Sequence, residues 1–312
     1  MGAVSADPLA VMTPGGAALN TIRTAAWSAG ACVRTAFVGS VGADKHAALL
    51  RRAMAAAGVE PLLMVAPGLA TAQCAVLVDA ETKDRFLAVV RGAAGAITPP
   101  FLRDDPAVRA ALASAAVLYV TAFVLSTPDR AACAAHMAEV ADAHGSVFAM
   151  NLSSPGLLAK VVAPLSALLP RSRFVFGNAD ELRALARLRG WGVGESEGGA
   201  TGDRSGAQEL VALSELLATQ LAPGGVAVVT DGAGMTTIAQ QRCPQQGCDH
   251  AQIPALSVDA ASVVDTNGCG DAFVGGFLGH FVQGSSLRQC VLEGHRCAAF
   301  VLRRRGCNLA PD

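Results

Sequence analysis

Charge is scarce in this chain: only 16% of its 312 residues are Asp, Glu, Lys or Arg, and they sum to a net −1 with histidines neutral. A nucleic-acid surface needs a concentration of basic residues, so no nucleic-acid partner is expected. Aromatic residues are equally sparse, at 4% with a single Tyr, although 52% of the chain is hydrophobic. Ala, Val and Leu must therefore fill a large core. No apolar run is long enough to span a bilayer, so no membrane partner is expected. Residues 1–12 lack the basic start and apolar centre of a secretory leader. The nine Cys have no regular spacing, and a chain of this length has no need of disulfides. These features predict a cytoplasmic protein with reduced thiols. No repeat and no clear linker interrupts it, so residues 1–312 read as one domain.

Short apolar runs alternate with longer amphipathic stretches. Strands are predicted at 35–41, 74–79, 86–90, 117–120, 147–152, 174–177 and 226–230. Helices are predicted at 44–57, 128–144, 157–169, 179–189 and 207–221. This alternation implies an α/β fold with a largely parallel sheet covered on both faces. Two segments break the pattern. Gly190 to Gly206 is rich in Gly, Ser and acids and reads as a surface insertion. Gln240 to Gln252 is polar and reads as a loop; its Cys243, Cys248 and His250 fit no strong zinc spacing.

The richest stretch runs from Val263 to Leu278, VVDTNGCGDAFVGGFL. Val263-Val264 reads as the end of a strand, followed by a tight Gly268-Cys269-Gly270 turn and a small-residue helix starting near Asp271. Such a turn gathers backbone N–H groups into one concavity, and a helix start behind it adds partial positive charge. That is a seat for a phosphoryl group, with Asp271 placed at its rim to take a proton. Taken alone, an Asp before a helix is more often a cap.

Other blocks add candidates. Pro14-Gly15-Gly16 opens a helix that carries Asn20, a side chain with both a donor and an acceptor. Asn178 and Glu181 lie three apart at a predicted helix start, as a capping box or as a pair facing one ligand. Thr230 and Gly232 sit where a strand gives way to a turn. Arg85 stands beside the second strand of a predicted hairpin, and His295 lies on an Ala-rich helix.

In this order the blocks resemble the ribokinase-like (PfkB) family of sugar and nucleoside kinases, and within it the eukaryotic-type adenosine kinases. Trp27, Asn151-Leu152-Ser153-Ser154-Pro155 and Arg303-Arg304-Arg305-Gly306-Cys307 extend the likeness from residue 14 to 307. The resemblance implies a three-layer α/β/α sandwich with a mainly parallel sheet and a small β lid, its elements near 10–20 and 70–95. It implies transfer of the ATP γ-phosphate to the 5′-hydroxyl of adenosine, by a monomer. Asp271 would be the general base, and Gly268, Cys269 and Gly270 an anion hole. Gly15, Gly16, Asn20 and Asn267 would hold the nucleoside, and Arg85 would meet phosphate charge from the lid. Asn178, Thr230, Gly232, Thr266 and His295 would border ATP. Glu181 would help hold Mg²⁺ through water.

Three departures stand out. Cys269 replaces the family's usual Ala, and the thiol is either oxidation-sensitive, as its helix-start position favours, or a buried inert filler. Only 14 residues precede Gly15, and Asp7 is the sole acid among them. The family's first strand, with its ribose-gripping Asp, is therefore expected to be missing. Gly156-Leu157 stands where the family commonly places an aromatic against the nucleobase. Two alternatives accordingly stay open: a kinase of the same fold with another nucleoside or sugar as acceptor, and a truncated nucleotide-binding protein with little catalysis.

Overall fold

In the computed structural model the described residues are 12–78, 85–192, 206–242 and 247–309, less the side chains of 77, 78 and 85–87. The frame is a six-stranded sheet built from β5 (Val117–Thr121), β6 (Val147–Asn151), β7 (Phe174–Asn178), β8 (Val226–Thr230), β9 (Met235–Gln241) and β10 (Cys248–Pro254), neighbours in that order. β5 to β8 run parallel, and β9 and β10 join antiparallel at one side. The parallel strands are short apolar runs because helices cover both of their faces. β7 shows the consequence: Phe174 and Phe176 enter one core and Val175 the other.

One core is closed by α9 (Cys269–Phe281) and α10 (Leu287–Leu302). Phe277 meets Phe174 and Phe176 edge-on there, with ring centroids 5.3 and 5.1 Å apart. The opposite core is mostly aliphatic, with Phe148 of β6 among its members, and is closed by α5 (Pro128–His144), α6 (Pro155–Leu168), α7 (Ala179–Arg189) and α8 (Gly206–Thr219). The result is helix, sheet, helix: the expected three-layer α/β fold. Two shorter helices, α3 (Pro99–Asp104) and α4 (Pro106–Ser114), lead into β5.

Two small sheets stand apart. β1 (Thr35–Val41) and β2 (Val59–Val65) pair in parallel around α2 (Lys45–Ala56). β3 (Gln73–Val78) and β4 (Arg85–Val90) form an antiparallel hairpin. Among the described residues β1 pairs only with β2, and β5 only with β6. Asp7 lies outside the described residues.

The site depends on how α1 (Ala17–Ala29) meets α9. A Cβ at Gly275 would fall 2.4 Å from the Thr21 carbonyl oxygen, and one at Gly276 would fall 2.6 Å from Cys297 Sγ. Only glycines let α1 and α10 approach α9 this closely. Trp27 then packs on Phe300, with ring centroids 4.6 Å apart.

Some expectations need correction. The described part of the segment 240–252 is mostly strand rather than loop: β9 continues to Gln241, and β10 starts at Cys248. β10 is an edge strand with most side chains exposed and Ile253 buried, so its polar composition hid its backbone pairing. His250 bonds Glu215 (2.8 Å), and Cys248 Sγ donates to the Glu215 carbonyl (3.6 Å). Cys243 lies outside the described residues, as do residues 193–205 of the predicted insertion. Val263-Val264 is not a strand. It has no strand neighbour, and the Val264 amide donates instead to Leu302 at the end of α10 (2.8 Å). β2 went unpredicted because it holds Pro61, which is tolerated where a strand has a single neighbour. Among the described residues no helix is long and apolar enough to cross a membrane.

Candidate active site

Parallel α/β sheets offer ligand sites beyond the carboxyl ends of their strands. Here those ends carry a row of polar residues. Thr121 is level with Asn151, and Asn178 with Thr230. Asn151 Oδ1 accepts from the Ser153 amide (2.6 Å), and Ser153 takes φ +72°. A positive φ is costly for Ser and marks a chain held in place by its surroundings. Ser153 Oγ also accepts from the Ala122 amide (3.0 Å), tying the loop after β6 to that after β5.

Facing this row is the start of α9. Gly268 is its N-cap, with φ +77°. A Cβ there would be 3.0 Å from Cys307 Cβ and 3.5 Å from Asn20 Nδ2. Conformation and space both call for glycine. The turn is closed by Asp265, whose carboxyl accepts from the Asn267 and Gly306 amides (2.9 Å each). Amides in the first turn of a helix have no partner inside it and point along its axis. Those of Gly270 and Asp271 occupy such positions, with Gly270 exposed. Cys269 is half-buried, its Sγ 3.9 Å from the Asp265 carbonyl.

Asp271 is the third residue of α9. Its Oδ2 accepts from Asn20 Nδ2 at 2.9 Å, across 251 residues of sequence. Burial pushes its carboxyl up to about 6, and the Asn20 hydrogen bond opposes the rise. A carboxyl so placed is ionised near neutrality and basic enough to accept a proton.

Glu181 is the third residue of α7. It is 6% exposed, and its oxygens accept from the Asn178 amide (3.0 Å) and from Asn178 Nδ2 (3.1 Å). The Glu181 amide donates back to Asn178 Oδ1 (2.9 Å), completing a capping box. Burial pushes Glu181 up to about 7; the Asn178 amide opposes this, and the charges of Asp180 and Asp271 add to it.

The remaining candidates are more dispersed. Gly15 and Gly16 are exposed at the start of α1, and Gly16, at φ +109°, accepts from the Asn20 amide (2.8 Å). Asn267 is half-buried, and Thr266 is exposed in the turn before α9. Thr230 lies at the end of β8 with its hydroxyl 3.5 Å from the Gly177 carbonyl, and Gly232 turns at φ +53°. His295 is buried on α10 beside Phe273. Its Nε2 meets Thr236 Oγ1 (2.8 Å), Nδ1 has no partner among the described residues, and burial holds its pKa below the usual value. Arg85 begins β4, and its side chain lies outside the described residues.

The roles of two residues escaped the sequence reading, which had Asp44 only as the start of a helix. Tyr119 of β5 has a fully buried hydroxyl, pushed up first by burial and then by the charge of Asp271. Its only signal was being the sole Tyr, set in an apolar strand. Asp44 caps α2 and also accepts from the Thr71 amide and hydroxyl (both 2.7 Å), fastening the segment that leads into the hairpin. Those bonds, the Thr71 amide first, hold its carboxyl down at about 2.

Comparison with known proteins matches this arrangement to one family. The pfkB family carbohydrate kinase model matches residues 4–312. Adenosine kinase of Schizosaccharomyces pombe is 31% identical over 291 residues, covering 93% of this chain and 79% of its own length. Adenosine kinase 2 of Arabidopsis thaliana is 29% identical over 293 residues, covering 94% and 79%. The crystal structure of Anopheles gambiae adenosine kinase in complex with P1,P4-di(adenosine-5) tetraphosphate matches with a TM-score of 0.81 at 28% identity, over 94% of this chain and 80% of that one.

Proposed function

The chain belongs to the pfkB family of carbohydrate kinases, and on that premise we propose that it transfers the γ-phosphate of ATP to the 5′-hydroxyl of adenosine, giving AMP and ADP. One observation carries the reading: a carboxyl held near 6 stands in the first turn of α9, directly behind the Gly268–Gly270 turn. The base and the seat for the migrating phosphoryl are thus neighbours on one backbone.

In this reaction the acceptor oxygen forms a bond to the γ-phosphorus while the bond from that phosphorus to the β-bridging oxygen breaks. Asp271 takes the hydroxyl proton, and the electron pair of the broken bond leaves with ADP. The amides of 268–270 and the start of α9 stabilise negative charge on the phosphoryl oxygens in transit. Asn178, Thr230, Gly232, Thr266 and His295 serve the nucleotide. Gly15, Gly16, Asn20 and Asn267 serve the nucleoside. The β3–β4 hairpin acts as the lid of a single catalytic domain and brings Arg85 to the phosphates.

Mg²⁺ fits this donor set in one way only. Among the described residues no group of three or more His, Cys, Asp or Glu gathers to hold a metal. Mg²⁺ keeps several waters and takes phosphate oxygens readily, so a single second-layer carboxylate suffices. Glu181 is that carboxylate: buried, pushed up to about 7 and, among the described residues, without a cationic partner to favour its charge. When bound, the ion would neutralise phosphate charge, and Glu181 would hold its water shell.

The test is ATP- and Mg²⁺-dependent conversion of adenosine to AMP, followed by chromatography, for this chain and for Asp271→Asn. AMP formation that collapses in the variant supports the reading, and no AMP from a folded chain that binds ATP refutes it. A second acceptor class is favoured by one feature. Leu157 is buried in the mostly aliphatic core and Gly156 has no side chain, so this segment offers no ring to a nucleobase. A panel of nucleosides and free sugars separates the two.

A further inference from the structure

Asp271 has two carboxyl oxygens, and the structure treats them differently. Oδ2 accepts from Asn20 Nδ2 at 2.9 Å. Among the described residues no other side chain donates to this carboxyl. Asn20 sits one turn into α1 and is carried to α9 by the close helix contact at Gly275. Its second polar atom, Oδ1, is buried and has no partner among the described residues. A buried amide oxygen left unpaired is costly, so a position that retains one points to a donor supplied by the ligand.

We propose that Asn20 is the positioning residue of the general base: its amide holds one oxygen of Asp271, reserving the other for the proton of the acceptor hydroxyl. The nucleoside contact already given to Asn20 under the proposed function then falls to Oδ1, which is buried and unpartnered among the described residues, so one side chain registers both base and substrate. The proposal rests on the kinase reading above, but the bond it invokes does not. A carboxylate fixed at one oxygen cannot rotate away from the line of proton transfer, and such alignment accounts for large factors in rate. The same bond favours the charged carboxylate and opposes the effect of burial.

Four other groups face Asp271 or its neighbours. Tyr119 comes from β5 and Glu181 from α7. Cys307 comes from the segment after α10, and Arg23 of α1 donates to the Cys307 carbonyl (3.4 Å). Burial keeps the Tyr119 hydroxyl and the Cys307 thiol neutral near pH 7. Glu181 does titrate nearby, so a rate profile alone would mix two carboxyls.

The experiment therefore has two arms. In the first, the carboxyl carbons of Asp are labelled with ¹³C, and the Asp271 signal is titrated by NMR in the unliganded wild-type chain, Asn20→Ala and Asn20→Asp, with Asp271→Asn identifying the signal. Loss of the amide should raise the Asp271 midpoint by about one pH unit in Asn20→Ala. In the second arm, kcat is measured against pH with ATP and acceptor saturating. The acid limb should move up by the same amount in Asn20→Ala, with a plateau roughly ten- to a hundredfold lower. Asn20→Asp, which sets a like charge beside the base, should move it further. An unmoved Asp271 midpoint in a folded Asn20→Ala or Asn20→Asp variant, neither of which keeps the amide donor, overturns the proposal. So does an unchanged kcat profile accompanied only by a raised KM, which would leave Asn20 a substrate contact alone. If no acceptor is phosphorylated, the kinase reading fails, and the titration still decides whether Asn20 governs the carboxyl.

Discussion

Helices α7 and α9 each carry an acid at their third residue, Glu181 and Asp271, and each acid is pushed up by burial, to about 7 and about 6. The difference lies one turn earlier. At α7 the N-cap is Asn178, whose amide groups engage both oxygens of Glu181. At α9 the N-cap is Gly268, which has no side chain, and Asp271 is held instead from α1 by Asn20. A capping box spends its carboxylate on its own helix. A glycine cap leaves the carboxylate to be oriented from elsewhere and keeps one oxygen for chemistry. According to what stands at the cap, the same helical position leaves the carboxylate to meet a ligand only through water, as proposed for Glu181, or frees one oxygen for proton transfer.

The sharpest way to break this contrast is Asp271→Asn. If Asp271 serves chemistry, kcat should fall by about 10²–10⁴-fold. Stability at pH 7.5 should not fall, because a buried carboxyl whose pKa is raised costs the folded state free energy once it ionises. Activity and melting temperature measured on one preparation decide it. A variant that melts several degrees lower would mean that Asp271 holds its helix start together as the Asn178–Glu181 box does.

Glu181→Gln probes the other side. The folded-state pKa of Glu181, about 7, lies above the ordinary 4.5. The stability tied to its proton is thus fully present below pH 4.5 and is lost as pH rises through 7. The whole effect is about 3 kcal/mol. A Gln at 181 keeps an oxygen for the Asn178 amide and has no charge to bury. Urea melts at pH 5 and pH 8 should show the variant gaining on wild type at the higher pH by up to ~3 kcal/mol. In the kinetic assay KM for Mg²⁺·ATP should rise. An unchanged pH slope would place Glu181 in water or beside a cation, contrary to the structure.

What could be read beforehand follows the same division between local and distant causes. The bounds of α5, α7 and β8 match their sequence signals because those signals are local: Pro128 and Gly145 around α5, Asn178 and Gly190 around α7, and a bare apolar run for β8. The Gly268–Asp271 block and the Asn178–Glu181 box were visible as candidates for the same reason. Two edge strands were not. β2 is masked by Pro61, and β10 by its polar exposed face. The Asn20–Asp271 bond and the buried Tyr119 hydroxyl were out of reach, since both depend on α1 crossing α9 at glycines far away in sequence.

Gly268→Ala tests whether the bare cap is needed. At φ +77° an alanine is strained by about 1–2 kcal/mol. Its Cβ would also fall 3.0 Å from Cys307 Cβ and 3.5 Å from Asn20 Nδ2. Chemical denaturation should show a loss of that size, and kcat should fall if the strained cap shifts the turn that precedes Asp271. A loss of stability with kcat intact would show that the cap's shape and the base's alignment are independent.

The smallest effect is expected at a third helix start, and its value lies in its smallness. α10 opens with Ser286 and Gln289 in a capping box like that of α7 but exposed and uncharged, the Ser286 amide donating to Gln289 Oε1 at 2.9 Å. Ser286→Ala removes the cap oxygen and should cost about 1 kcal/mol. Because α10 packs on α9 at Gly276 and Gly294, a loss of helix stiffness here would reach the Asp271 turn if caps influenced the site mechanically. The contrast drawn between α7 and α9 is electrostatic, so kcat, KM and the pH profile should all stay as in wild type while the melting temperature drops by a few degrees. A shift of the acid limb in Ser286→Ala would show that helix-start rigidity, rather than the carboxylate's partner, sets the behaviour of Asp271.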